Sequence, residues 1–218
     1  MKKRRFICYL LVVVLLLLTG CKRELRASQY VQANLHLIFQ GETEGAKEFL
    51  DASDSDLKKM YENGIDAFVE GYLTGGVDDE GEYNGYFAYL VKEIFRTMRY
   101  QVGEAKKMDA DTYEVEVQYH PVNVFTLFIE GVEALSAELE GRMDSGYYEG
   151  TKEEQEQLML IDYLEMSYAL LGEAYLQMEY GDTETFTFTV TRNGTNMPEL
   201  DEKEINEFIE CILALDKM

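Results

Sequence analysis

The residues of this 218-residue chain that could do chemistry are two histidines, three cysteines and 42 carboxylates. His36 and His120 lie far apart, and neither belongs to a paired ligand motif such as H-E-x-x-H. His36 falls within a helical pattern and His120 precedes Pro121 at a strand-to-helix corner, so neither is expected to be catalytic or a ligand. Cys211 sits at the edge of an apolar helix face, where a thiol serves as a small hydrophobe. A nucleophile would need a base beside it, and only two histidines are available. Asp78, Asp79, Glu80 and Glu82 cluster between glycines and are the candidate metal ligands. Hard cations favour such oxygen-rich loops, but the twelve-residue calcium spacing is absent, and a solvated loop is expected. The stretch DADTYEVEV fails the same test, because Glu114 stands where that loop requires glycine. Forty-two acids offer many pairs for glycoside hydrolysis, so no single pair is informative. There is no Gly-rich phosphate loop and no G-x-S-x-G. The expectation is a protein without catalytic residues, without a cofactor and without enzymatic activity.

Charge narrows the partners. The formal net charge is −22, with 46% apolar and 28% charged residues, a globular composition. Lys2, Lys3, Arg4 and Arg5 are the charged residues of positions 1–20, so losing that segment takes −22 to −26. Such a body repels phosphate backbones, which argues against nucleic acid. Cationic ligands, metal ions and basic protein patches stay open, and so does acidity that only keeps the protein soluble.

The N-terminus MKKRRFICYLLVVVLLLLTGCK has a basic start, an apolar run over residues 6–18, and then Thr19, Gly20 and Cys21. A membrane-spanning helix needs roughly twenty apolar residues, so this run suits the core of a signal peptide. The basic flank keeps the start of the chain in the cytoplasm and sends the rest outward. Leu18-Thr19-Gly20-Cys21 resembles the lipobox of bacterial lipoproteins at every position. That resemblance implies diacylglyceryl attachment at Cys21 and cleavage by signal peptidase II before it, guided by Leu18, Thr19 and Gly20. Two acyl chains anchor a protein stably where one does so marginally, at ~0.8 kcal/mol per buried CH₂. Lys22, Arg23 and Arg26, offset by Glu24, leave a basic patch beside the lipid, each base adding about 1 kcal/mol near an anionic surface. The body also resembles uncharacterised small lipoproteins of Gram-positive gut bacteria, in a Tyr113-Glu114-Val115-Glu116-Val117-Gln118 strand followed by HPVNVF at residues 120–125. That likeness implies a single-membrane cell and no known activity. In a double-membrane cell, Lys22 in place of aspartate would resemble an outer-membrane sorting signal.

The elements follow from periodicity. Val31, Leu35 and Ile38 mark a helix stopped at Gly41, leaving a tether over 21–27 whose last six residues extend about 20 Å at ~3.3 Å each. Leu57, Tyr61, Ile65, Phe68 and Tyr72 form the stripe of a second main helix. Phe87, Leu90, Val91, Ile94 and Met98 mark a third. Tyr113, Val115, Val117 and Tyr119 alternate with polar residues, as do Phe186, Phe188 and Val190, which predicts strands. A further strand is expected around Tyr100 to Lys106, turning at Asp109-Ala110-Asp111, and the Phe186 strand ends at a turn, Asn193-Gly194. Between the strands, Phe125, Phe128, Val132, Leu135 and Leu139 form one seam of alternating three- and four-residue spacing. Ile161, Leu164, Tyr168, Leu171, Tyr175 and Met178 form another. Thr151 and Glu154 make a capping box for the second seam's helix, about 28 residues or 40 Å long. A last helix is expected over Glu202 to Leu215.

The expected fold is thus α+β and mostly helical, with a small three-stranded antiparallel sheet and an inserted antiparallel helical hairpin over 121–180. Residues 1–20 are a signal peptide, 21–27 a lipidated tether, and 28–218 one globular domain. The expected role is non-enzymatic binding or scaffolding at the extracytoplasmic face of the cell membrane. The partners are the membrane, through the lipid, and an envelope protein or small ligand. A solute-binding lipoprotein feeding a transporter is the alternative, and an envelope hydrolase is a third reading. Cys8 leaves with the signal peptide and Cys21 is consumed by lipid, so thiol titration of the denatured processed protein should find one free cysteine, Cys211. Finding none would contradict the assignment.

Overall fold

The computed structural model describes residues 26–50, 52–76, 82–192 and 197–215. Its sheet is built around β2 (Thr112–His120), where Tyr113, Val115, Val117 and Tyr119 are buried. Their alternation with polar residues gives one packed face and one wet face. β1 (Arg99–Lys107) precedes it as an antiparallel hairpin. The turn is held by Asp109, whose Oδ1 accepts from the backbone N–H groups of Asp111 and Thr112, each at 2.9 Å. The β1–β2 register slips between Val102 and Ala105. Gly103 lies in that bulge, and a Cβ on it would stand 2.9 Å from the Glu116 carbonyl oxygen. Only glycine permits the approach.

β3 (Glu184–Arg192) pairs antiparallel with β2 from Glu184 to Thr191. A fourth strand, β4 (Pro198–Leu200), then pairs with β3, giving the order β1-β2-β3-β4. The sheet therefore has four strands, not the three expected from periodicity. β4 is three residues long and begins with a proline, which cannot donate to the ladder, so it shows no alternation to read. Its position at the edge suits both features. The expected turn at Asn193-Gly194 lies outside the described residues.

Seven α-helices are present among the described residues. α1 (Ala27–Gln40) crosses the packed face of the sheet and buries Val31, Leu35 and Phe39. It ends at Gly41, whose φ of 68° lets its N–H reach back to the Leu37 carbonyl at 3.2 Å. A single turn, α2 (Glu44–Lys47), leads to α3 (Asp54–Val69). α3 starts with a capping box in which Ser53 and Asp56 bond reciprocally, and Ser53 holds the Asp56 carboxyl below its ordinary range. α3 runs into a π-turn, Glu70–Thr74. The wider turn carries Leu73 and Thr74 inward and leaves Tyr72, expected on the apolar stripe, 48% exposed. α4 (Glu82–Arg96) follows.

α5 (Val124–Asp144) and α6 (Lys152–Gln177) form the antiparallel pair between β2 and β3. The Thr151–Glu154 capping box starts α6, with bonds of 2.7 and 3.3 Å. The two ends of the pair are clasped: Asn123 and Glu179 exchange hydrogen bonds, Gly181 N–H donates to the Pro121 carbonyl, and Tyr180 donates to the Thr97 carbonyl. The Arg99 guanidinium lies 3.6 Å from the centre of the Tyr180 ring. Far from that clasp, Leu135, Leu139 and Leu164 are buried within the pair, and Tyr148 and Arg142 both bond Asp162.

α7 (Glu202–Ile212) closes the fold and stops short of the Leu215 expected for it. Phe208 is fully buried and meets Tyr119, Phe186, Phe188 and Phe39 with ring centres 5.3–6.3 Å apart. Replacing Phe208 by alanine should cost about 3–5 kcal/mol of stability, read as a fall in the denaturation midpoint without change of slope. A loss below about 1 kcal/mol would show that the core does not depend on this ring.

Candidate functional site

Among the described residues singled out for chemistry, His36, His120 and Cys211 are not gathered into a site. Leu18, Thr19, Gly20 and Cys21 lie outside the described residues, as do Asp78, Asp79 and Glu80. Glu82 is the first residue of α4. His36 directs Nδ1 at Glu42, 3.1 Å away. His120 donates from Nδ1 to the Gly181 carbonyl at 3.0 Å, leaving Nε2 facing the Thr183 hydroxyl at 3.3 Å. That ring ties the end of β2 to the loop before β3. Cys211 is partly buried beside the Tyr119 hydroxyl, which donates to Glu184 at 2.8 Å. Among the described residues, no group of three or more His, Cys, Asp or Glu side chains could hold a metal ion.

The described surface does carry a groove of about 590 Å³, formed by the end of α1, by α3 with its π-turn, and by α7. That size lies within the range of small-ligand sites. Leu37, Ile65, Phe68 and Phe95 form its apolar floor and are buried. Phe68 meets Phe95 and Phe125 edge to face and stacks on Tyr72 at 4.9 Å, which holds Tyr72 at the mouth. Met60 stands on the same mouth, 54% exposed.

The other wall is α7, whose sequence divides into stripes. Phe208 and Ile212 point to the core, Ile205 and Ile209 flank the groove, and Glu202, Asn206 and Glu210 follow one another at four-residue spacing along its rim. The rim is therefore acidic at both ends. The two carboxylates stand on one helix and one rim, not across a cleft from each other as a hydrolytic pair would. Elsewhere on this helix, Asp201 caps its start, Glu204 accepts from the Thr189 N–H at 2.8 Å, and Glu207 pairs with Lys203 at 2.8 Å.

Sequence reasoning missed this groove. It requires the end of α1 and the side of α7 to meet α3, and no spacing within one segment reports that. One local signal existed. Gly64 interrupts α3, where glycine costs roughly 0.5–1 kcal/mol relative to alanine. A Cβ there would meet nothing within 4 Å, so packing does not require glycine at this position.

A second apolar surface lies where α4 meets α6. Tyr86 touches Tyr83 and Tyr168, and Tyr83 donates to Glu165 at 3.3 Å. Tyr86 is exposed there, and Tyr89 on α4 and Leu158 and Ile161 on α6 are exposed elsewhere on the two helices. No helix among the described residues is long and apolar enough to cross a membrane.

The class this geometry defines is an α+β domain with a helical pair set into an antiparallel meander. No protein-family model matches the chain, and no curated protein matches it. Among solved structures, the fold is similar to that of a "putative lipoprotein (ycdA)" from Bacillus subtilis, with a TM-score of 0.52 and 14% identity. The match covers 90% of this chain and 58% of that one, so the chain spans little more than half the length of that structure. At this identity the likeness is one of fold.

Tyr119, buried, and Tyr100, half-buried with its hydroxyl shielded, should give the domain a pH dependence. Burial pushes the Tyr100 hydroxyl well above its ordinary value of 10.0. Burial, and then the hydrogen bond to Glu184, does the same for Tyr119. The folded state therefore holds protons that the unfolded state releases once pH passes about 10. Stability should be unaffected by these groups below about pH 10 and fall as pH rises above it. Tyr119→Phe should make that fall shallower in alkaline denaturation curves, and an unchanged slope would refute the assignment.

Proposed function

We propose that this chain is a lipid-anchored protein of the bacterial cell envelope that binds or scaffolds a partner without catalysing a reaction. It is held at the extracytoplasmic face of the cell membrane by a diacylglyceryl group on Cys21, with Leu18, Thr19 and Gly20 read by signal peptidase II. The anchoring rests on the basic start, the thirteen-residue apolar run and the Leu18-Thr19-Gly20-Cys21 ending. The fold likeness to a "putative lipoprotein" supports the same reading. The observation that carries binding is the groove between α1, α3 and α7, with its apolar floor and carboxylate rim.

A solute-binding lipoprotein is the second reading. The meeting of Tyr61, Tyr72, Glu202 and Glu210 in one groove favours it, since tyrosines and acids supply both stacking and polar recognition.

Cys21→Ala should abolish incorporation of labelled fatty acid and release the protein from the membrane fraction. The N-terminal peptide of the processed wild-type protein should begin at Cys21 and carry the mass of a diacylglyceryl group. Label retained in Cys21→Ala would refute the anchoring.

A further inference from the structure

We infer that the groove between α3 and α7 is a docking site for a basic amphipathic helix of a partner protein. This deepens the binding role proposed above and rests on it. The first argument is charge. Glu202 and Glu210 are exposed at the two ends of the rim, eight residues apart, which is about 12 Å along α7 at 1.5 Å per residue. Among the described residues neither has an ion-pair partner, whereas Lys203 is engaged by Glu207 at 2.8 Å. Glu202 lies in the first turn of α7, where the helix dipole favours an anion. Glu210 lies in the last turn, where the dipole opposes one. A cation from outside would offset that repulsion. Lysines or arginines two turns apart on a partner helix have the spacing of these two carboxylates.

The second argument is the shape and exposure of the groove. Its floor is apolar, and its mouth is flanked by Met60 and Tyr72, each about half exposed. Sites for small solutes usually bury 70–90% of the ligand, which an open mouth does not. Laying an apolar helix face into a groove is a recurring mode of peptide recognition, and methionine at the contact adapts to such partners. The third argument is Gly64. It lines the groove with open space where its Cβ would be, within a helix that any other ordinary residue would stabilise. The absent side chain leaves room for an occupant.

The test uses the full chain in membranes of expressing cells. The probe is a synthetic 16-residue Leu/Lys/Ala helix, with lysines two turns apart and one photo-crosslinker on its leucine face. Covalent capture is read on the protein itself. Glu202→Gln with Glu210→Gln should weaken capture about fivefold or more at low salt and abolish its salt dependence. Gly64→Leu, which fills the groove without a backbone clash, should reduce capture about tenfold. Both variants should keep their membrane association; the paired Glu→Gln variant should keep its thermal midpoint, and Gly64→Leu should hold or raise it. Cys21→Ala should do the reverse, leaving the membrane fraction yet capturing the probe as well as wild type, which separates failure of the anchor from failure of the groove. Equal capture of a Glu-for-Lys probe would overturn the inference, as would undiminished capture by Gly64→Leu. Competition by 2-phenylethylammonium as effective as that by unlabelled helix would overturn it in favour of a small cationic solute.

Discussion

The fold depends on one chain of aromatic contacts. Phe188 on the sheet meets Phe208 on α7, Phe208 meets Phe39 on α1, and Phe39 meets Phe95 on α4. Phe95 meets Phe68 on α3, and Phe68 meets Phe125 at the start of α5. Six elements that are distant in sequence are thus held by rings 5.1–6.3 Å apart. Edge-to-face pairs of this kind contribute about 0.5–1.5 kcal/mol each beyond the area they bury. A chain without tryptophan and with only two prolines has few other bulky or rigid means of setting the angles between its helices. Cys211 is the one cysteine among the described residues, so no disulfide among them shares the task.

The groove is a consequence of that chain. Phe68 and Phe95 are links in it and also form the groove's floor, while α7 is pinned from its other side by Phe208. The stripe that remains on α7, Glu202, Asn206 and Glu210, has nowhere to point but along the rim. The helical pair is joined to the same chain through Phe125 and closed at its base by the Asn123–Glu179 and Tyr180–Thr97 bonds. Phe125 joins the base of the pair to Phe68 in the groove floor, and Tyr180 and Thr97 join it to the end of α4, which carries Phe95.

How much of this was legible in the sequence follows from the range of each interaction. The β2 alternation, the seam of α5 and the Thr151–Glu154 box are set within a few residues and can be read from spacing; the α6 seam holds at Leu164 and Leu171, but Ile161 is exposed, Met178 lies beyond the helix, and Ser167 and Ala174 are buried instead. β4 could not be read: it has three residues, one of them proline, and pairs only because β3 stands beside it. The turn into Tyr72 was misjudged because a π-turn conserves the residue types of an α-helix while rotating the side chains that follow. The groove was invisible because each of its walls has an ordinary amphipathic pattern, and only tertiary contact makes two such patterns face each other. Gly64 was visible but carried no meaning until the space beside it was known.

α1 connects the proposed anchor to the groove. It begins at Ala27, six residues after Cys21, and its residues Leu37 and Ile38 line the groove. At 1.5 Å per residue those positions lie about 15 Å from its start. α1 therefore meets the groove at its C-terminal end, about three turns from its start. One base of the tether is not free to face the membrane. Arg26 bonds Glu48 at 2.6 Å and stacks over Phe49 at 4.7 Å. Under the proposed anchoring, Lys22 and Arg23, offset by Glu24, are the bases left to face the membrane. So small a patch cannot hold a body of this acidity against an anionic surface by charge alone, given about 1 kcal/mol per base. Under the proposed anchoring, attachment would rest on two acyl chains more than on the basic residues beside them.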